Sequence, residues 1–264
     1  MLMAIKTELK LICLTFKYNI IKAIVNKPAF IINILSIILD NTILIIQWLI
    51  LFSLKETIGG YKFNDTIMLL SLSECIYGVS NLFFRSAYNL HELVTNGKLD
   101  VYLTQPRNVL INIITSHIHL AAIGNLVSGY LLTILFNFSF KNILLFTIFS
   151  IMGGILMTSL AIILGSISFF TLRLNSVLDD LLDLAIMFSN YPEKIISTPI
   201  KIILYTFVPA GLLVYMPVSL IKNFNICSFL TLLTLIMFFV LSAFFLFYRG
   251  LKKYSSSSLI TLRT

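Results

Sequence analysis

The chain has 264 residues, of which 58% are hydrophobic and 11% charged, and its net charge is +8. With a mean hydropathy of +0.98, it holds far more apolar surface than a water-soluble fold can hide, which excludes a soluble domain and points to an integral membrane protein built from helices. The positive charge does not indicate nucleic acid, because the basic residues flank apolar runs instead of forming one cluster.

In chain order, the first 27 residues carry Lys6, Lys10, Lys17, Lys22 and Lys27 spread along their length. A cleavable signal peptide would place its charges ahead of one compact apolar core. At about 100° per residue, Ile5, Leu9, Ile12, Phe16 and Ile20 share one face with Lys6, Lys10 and Lys17 at its edge, the pattern of a basic amphipathic helix lying in the membrane plane. A basic flank that only enforces topology is the alternative. Pro28 suits the first turn of the following helix, where a missing N–H costs nothing.

Six apolar runs follow: Pro28–Leu54, Thr66–Phe84, Val109–Phe136, Asn142–Phe170, Ser176–Phe188 and Ile226–Tyr248. They predict an all-α, six-span membrane domain over residues 1–264. A crossing takes about 20 residues at 1.5 Å each, so the short run Ser176–Phe188 must borrow length from its flanks. With both termini in the cytosol, thirteen Lys and Arg fall inside and six outside; the inverse orientation would reverse this bias.

Two carboxylates fall within spans. Asp40, beside Asn41, lies mid-run in the first and Glu74 in the second, where a charge costs on the order of 3 kcal/mol unless it is protonated, paired or wet. They serve either a proton-coupled carrier or, with Asn41, hydrogen bonds across helices at a subunit interface. His117 and His119 fall inside the third run, at a spacing that points them to different sides of a helix and does not favour a shared metal. Cys13, Cys75 and Cys227 match neither a metal spacing nor a disulfide framework and read as small apolar fillers.

No G-x-x-x-x-G-K-[ST] phosphate loop is present; the only Gly-Lys pair, Gly97-Lys98, has Glu92 where the first glycine would stand. H-E-x-x-H is absent, and Gly165-Ser166-Ile167-Ser168 lacks the second glycine of a serine nucleophile turn. The chain therefore reads as a non-enzyme with no cofactor or metal of its own. Active transport would draw on a partner or an ion gradient.

Four of the six prolines, Pro192, Pro199, Pro209 and Pro217, cut residues 191–224 into apolar pieces of roughly ten residues, each too short to cross. Such pieces read as an outer re-entrant segment, or as an in-plane helix and loop, with Tyr191, Tyr205 and Tyr215 in an aromatic belt. On the cytosolic side, residues 85–108 form a polar tract. Arg85–Thr95 is helix-competent with Leu90, Leu93 and Val94 on one side, Asn96-Gly97 can close it in a left-handed cap, and Leu99, Val101 and Leu103 continue an apolar stripe to Pro106.

Glu92, Gly97, Leu99, Asp100, Leu103 and Pro106 stand at the spacing E-x(4)-G-x-L-D-x-x-L-x-x-P. This resembles the signature between the second and third spans of bacterial ABC-2 type permeases, the membrane subunits of a class of ABC exporters. Tyr191-Pro192, Pro199, Phe207-Val208-Pro209-Ala210 and Tyr215-Met216-Pro217 resemble a second pattern carried by one branch of that family. Asn190 is a departure, since Arg often precedes the Tyr-Pro pair there. The resemblance implies that residues 85–106, with Tyr88 and His91 among them, form a coupling helix resting in a groove of a separate cytosolic ABC ATPase that binds ATP and Mg. It implies an outer gate over 191–224 and pairing with a second copy or a similar permease. It also implies a multi-pass place among lipids of a bacterial cytoplasmic membrane and export of an amphipathic lipid, peptide, antibiotic or drug by alternating access.

Overall fold

The computed structural model describes residues 2–25, 27–171, 175–198, 200–201 and 209–254. Within them the architecture is helical throughout. Helix α1 (Leu2–Val25) leads into α2 (Lys27–Leu54), and Pro28 sits in the first turn of α2. Helix α3 spans Phe63–Tyr88 and is followed by the short helices α4 (Leu90–Thr95), α5 (Asp100–Leu103) and α6 (Val109–Ile114). After a 3-10 turn at Leu120–Ala122 come α7 (Ile123–Asn137), α8 (Phe140–Ile167) and α9 (Asn175–Ser189). A π turn at Gly211–Tyr215 runs into α10 (Met216–Lys222), and α11 (Ile226–Leu251) closes the described part.

Among the described residues five helical stretches are long and apolar enough to cross a membrane: Phe30–Leu54, Phe63–Thr95, Leu120–Asn137, Phe140–Ile167 and Ile226–Leu251. Two expectations are corrected here. The third run does not begin its crossing at Val109. Its helix stops at Ile114, the backbone leaves helical geometry before His119 (φ −109°, ψ 90°), and the long apolar stretch starts at Leu120. His117 and His119 are therefore in a break and not inside a span. The fifth run forms α9, whose 15 residues are too short to cross unaided.

The bundle is layered around α3. Helices α7 and α8 pack on either side of it, α2 lies outside against α7, and α11 lies outside against α8. Burial follows this order. The apolar window of α3 is 72% buried within the chain, whereas those of α2 and α11 are 11% and 17% buried. Without a hydrophobic drive between helices in lipid, close approach needs small side chains at the seams. Gly153 and Gly154 of α8 provide one seam, since a Cβ there would stand 2.5 Å from Ile76 and from Val79 of α3. Gly129 of α7 provides the other, with Ser71 O and Cys75 Sγ each 2.6 Å from where its Cβ would be.

Cys75 is thus the small filler that the sequence suggests. Cys13 and Cys227 are exposed, against that expectation.

The two ends of the bundle have distinct sets of partners. At one end the Lys222 ammonium lies 2.7 Å from Asp65 and over the Tyr61 ring, Asn137 Nδ2 donates to Asn64 O, and Lys194 lies beside Gly59 and Gly60. At the other, Phe169 packs on Phe247 and Tyr254, Lys253 lies 4.9 Å from the Phe170 ring, and Tyr248 OH donates to Asn108 Oδ1. Helix α1 reaches this second end, where Phe16 meets Phe83 and Asn19 donates to Ser116 O. Residues 55–65, 137–142, 190–198 and 209–226 thus gather at one end, and residues 85–119 and 249–254 at the other.

Because Gly129 faces a backbone oxygen that cannot swing away, Gly129→Ala is expected to lower stability by about 1–3 kcal/mol. Thermal unfolding in detergent measures this; an unchanged Tm contradicts the close approach of α7 and α3.

Candidate functional site

Two features stand out from the apolar bundle: a capped helix-turn element at the end that carries α4, and a line of polar side chains along α3. The element begins where α3 loses helical geometry at Phe84 (φ −134°, ψ 31°), four residues before its end. Arg85 bends back so that Nη1 donates to Asn81 Oδ1 at 2.7 Å and its guanidinium lies 5.6 Å from the Tyr88 ring. Asn89 (φ −93°, ψ 9°) then separates α3 from α4, so Arg85–Thr95 is not the single helix that the sequence suggests. Helix α4 ends as expected. Gly97 takes φ +67° and donates to Val94 O, and Leu99 N–H reaches Leu93 O at 3.1 Å, which satisfies the last carbonyls of the helix.

The residues assigned to coupling divide into two groups. Tyr88, His91 and Leu99 point inward: Tyr88 OH bonds Ser80 Oγ at 2.9 Å, His91 Nδ1 lies 3.2 Å from Tyr88 O, and Leu99 has no exposed surface. They hold the element to the bundle. Glu92 and Pro106 face outward, as do Val101 and Leu103 at 63% and 40% exposure; Gly97 and Asp100 are half-buried. The apolar stripe through Leu99, Val101 and Leu103 is therefore split, with Leu99 in the core and the other two on the surface. The turn around Pro106 is tied down by Asn112, which donates to Gln105 Oε1 at 2.7 Å and accepts from Arg107 at 3.0 Å.

Ser116 joins these parts. Its hydroxyl lies 2.8 Å from Ser86 Oγ and accepts from Tyr102 OH at 3.1 Å, while its carbonyl accepts from Asn19 of α1. His117 N–H donates to Ser86 Oγ, and His119 N–H to Asn81 O. Burial, followed by the nearby Arg85 guanidinium, holds the His119 imidazole below its ordinary pKa. The backbone amides of the two histidines thus connect the break after α6 to α3.

Along α3 several buried polar side chains are answered by other elements. Asn41 Nδ2 of α2 donates to Glu74 Oε2 at 3.1 Å and to Ser128 Oγ of α7 at 2.8 Å, and both Asn41 and Glu74 are buried. Asp40 lies on the exposed side of α2 and takes no part in that hydrogen-bonded contact. Ser71 and Thr133 hydroxyls are 3.1 Å apart, and Ser80 also meets Thr158 of α8 at 2.9 Å. Ser73 donates to Asn190, the residue that stands where Arg often precedes the Tyr-Pro pair. A neutral hydrogen bond between α3 and the end of α9 thus occupies that place. Sequence reasoning singled out Glu74 but missed Ser71, Ser73, Ser80, Ser86 and Ser116; their signal was the recurrence of serines within runs otherwise apolar.

Of the outer residues, Tyr191 stacks edge-on to Trp48 at 5.7 Å, Pro192 is buried beside Gly59, and Tyr215 OH contacts the carbonyls of Phe188 and Tyr191 at 2.8 and 2.9 Å. Pro209 and Pro217 are buried at the start and on the far side of the π turn. Pro199, Tyr205, Phe207 and Val208 lie outside the described residues. The Tyr61 phenol at this end is raised above its ordinary pKa, by burial first and then by the Glu193 and Asp65 carboxylates.

A family model described as an ABC-2 family transporter protein matches residues 10–258. The chain belongs to the ABC-2 transporter family. No curated protein and no solved structure matches it. Membership fits a multi-pass membrane protein with apolar helices, and the match takes in α4–α6, the polar line of α3 and the proline-broken segment together.

Because Ser73 donates to Asn190, Ser73→Ala and Asn190→Ala should be non-additive in a double-mutant cycle, with a coupling of about 0.6 kcal/mol, the average for such bonds between membrane helices. Reversible unfolding in mixed micelles reads it; strict additivity removes the contact.

Proposed function

We propose that this ABC-2 family protein is the permease subunit of an ATP-binding cassette exporter, driven by separate cytosolic ATPase subunits that dock on α4–α5. The observation that carries the reading is the family match over 10–258, combined with a capped turn that presents Glu92, Val101, Leu103 and Pro106 at one end of the bundle. Apolar side chains exposed on a connecting segment, beyond the ends of the long helices, suit a protein partner better than water. Gly97 shapes the turn, and Tyr88, His91 and Leu99 anchor it, so motion of an ATPase pair would pass into α3. ATP and Mg belong to that partner. The end that carries α4 is then cytosolic, with both termini, in a bacterial cytoplasmic membrane.

Two copies, or this chain with a similar permease, would enclose the path. Helices α2 and α11 leave most of their apolar surface uncovered within one chain, which supports lipid and a second subunit as their neighbours. Residues 191–224 would form the outer gate. Lys194 and Lys222 share one end of the bundle while Tyr215 reaches the carbonyls at the end of α9, which supports a re-entrant course. The cargo is an amphipathic lipid, peptide or drug.

A proton-coupled carrier using Asp40 and Glu74 is the less favoured reading, since Glu74 is engaged by Asn41 between α2, α3 and α7 and Asp40 is not part of that contact.

Pull-down of the solubilised chain is expected to recover an ABC ATPase. Because proline cannot adopt the positive φ of Gly97, Gly97→Pro should reduce ATP-dependent dye efflux at least tenfold without loss of membrane insertion. Failure to recover any ATPase, with efflux intact in Gly97→Pro, would sink the proposal.

A separate expectation concerns the energy source. Efflux should persist in the presence of an uncoupler and in Asp40→Asn, and should stop when the ATPase is removed. The opposite pattern selects the proton carrier.

A further inference from the structure

The last two turns of α11 present a face that no step of the transport reading uses. Phe244, Phe245, Tyr248, Arg249 and Lys252 recur at the spacing of one helix side and line a concavity of about 510 Å³. Its composition is graded along the axis. Phe245, at 61% exposure, leads on the bundle side, and the cations follow toward the helix end, with Lys252 placed roughly 10 Å beyond Phe245 by helical rise. Tyr248 stands between them, its hydroxyl bonded to Asn108. Among the described residues neither Arg249 nor Lys252 makes an ion pair, and Arg249 instead lies 5.8 Å from the Phe245 ring. Lys253 adds a third cation next to Phe170. The cations also sit at a helix C-terminus, where the carbonyl ends favour positive side chains and help fix them there.

We infer that this face is a binding site for one anionic phospholipid, its phosphate held by Arg249 and Lys252 and the first part of an acyl chain laid over Phe244, Phe245 and Tyr248. The argument is complementarity on two counts. The site joins an apolar wall on a helix long enough to span to two positive groups at its end that make no ion pair among the described residues, an arrangement that suits an acyl chain and its headgroup. A free anion would satisfy the cations but leave the rings uncovered. A second copy of this chain meeting this face with its own would set like charges against one another. A zwitterionic lipid brings a compensating ammonium and gains less. The site does not depend on the identity of the cargo or on the ATPase, because it lies on the outer helix of the bundle.

The test uses the full-length chain purified in detergent and titrated with phosphatidylglycerol or phosphatidylcholine, with bound lipid counted by native mass spectrometry and Tm followed in parallel. Phosphatidylglycerol is expected to bind with a stoichiometry of one at the tight site and to raise Tm more than phosphatidylcholine. R249Q/K252Q should weaken that binding by roughly 30-fold, two charges near an anionic headgroup each contributing a factor of about five. R249K/K252R, which keeps the charges, should bind within a few-fold of wild type. Lys10→Gln with Lys17→Gln on α1 should leave the tight site intact.

Equal binding of the two lipids, or loss of the tight site in the α1 variant but not in R249Q/K252Q, overturns the inference. So does equal stabilisation by inorganic phosphate, which would make the site a simple anion site. A change of oligomeric state in R249Q/K252Q with lipid binding unaltered would assign the face to a second copy instead. Should R249Q/K252Q fail to fold, the wild-type titration in rising salt decides: the preference for phosphatidylglycerol must fall as ionic strength increases, and a salt-independent preference rules the cations out.

Discussion

Everything in this bundle depends on satisfying the polar side chains of α3 without water. In a bilayer an unmet hydroxyl or carboxylate finds no solvent partner, so each one fixes a neighbour in place. Asn41 fixes α2 beside Glu74, Thr133 fixes α7 beside Ser71, Thr158 fixes α8 beside Ser80, and Asn190 fixes the end of α9 beside Ser73. Apolar packing alone would let these helices slide or rotate against one another, because lipid tails serve as well as leucine. Directional bonds at four levels of one helix remove that freedom. The glycines at the α7 and α8 seams are the complement, bringing backbones close enough for short side chains to reach.

This division of labour explains the contrast between inner and outer helices. Helix α3 can carry a buried carboxylate and several serines because it is enclosed, whereas α2 and α11 face outward and expose many Ile, Leu and Phe side chains there. Asp40 fits the same rule from the other side: it lies on the outward surface of α2 and so is not held by the network that takes Asn41 beside it. Adjacent residues on one helix thus answer to different surroundings.

Helicity, the apolar runs and the membrane class were legible because they are properties of composition and length. The left-handed turn at Gly97 was legible because Asn-Gly after a helix has few other uses, and the positive φ is there. What the sequence could not give was the distinction between a run that is apolar and a run that is one helix. Val109–Phe136 reads as one long, mainly apolar run, yet Ser86 and Asn81 of α3 capture the amides of His117 and His119 where the helix is broken. Those captors lie 31 and 38 residues away, where periodicity has no reach. The split of Leu99 from Val101 and Leu103 has a similar cause, since Leu99 closes the α4 cap through its N–H to Leu93 O while Val101 and Leu103 lie beyond it in α5. Asn190 shows the limit in another way: as a departure from a pattern it suggested a missing contact, and its replacement partner, Ser73, was visible only in three dimensions.

The departure from helical geometry at Phe84 and the break before His119 stand at one height, bridged by Ser86, Ser116 and His117. Both chain segments that leave the bundle at this place are thus interrupted side by side, and the piece between them, residues 85–119, is stitched to itself. Two aligned interruptions define an axle. Torque on the stitched piece would turn it about that line, so what reaches the long helices is a tilt and not a thrust along their axes. The tilt would act first on the ends of α3 and α7 nearest that line, two helices that Gly129 lets approach closely.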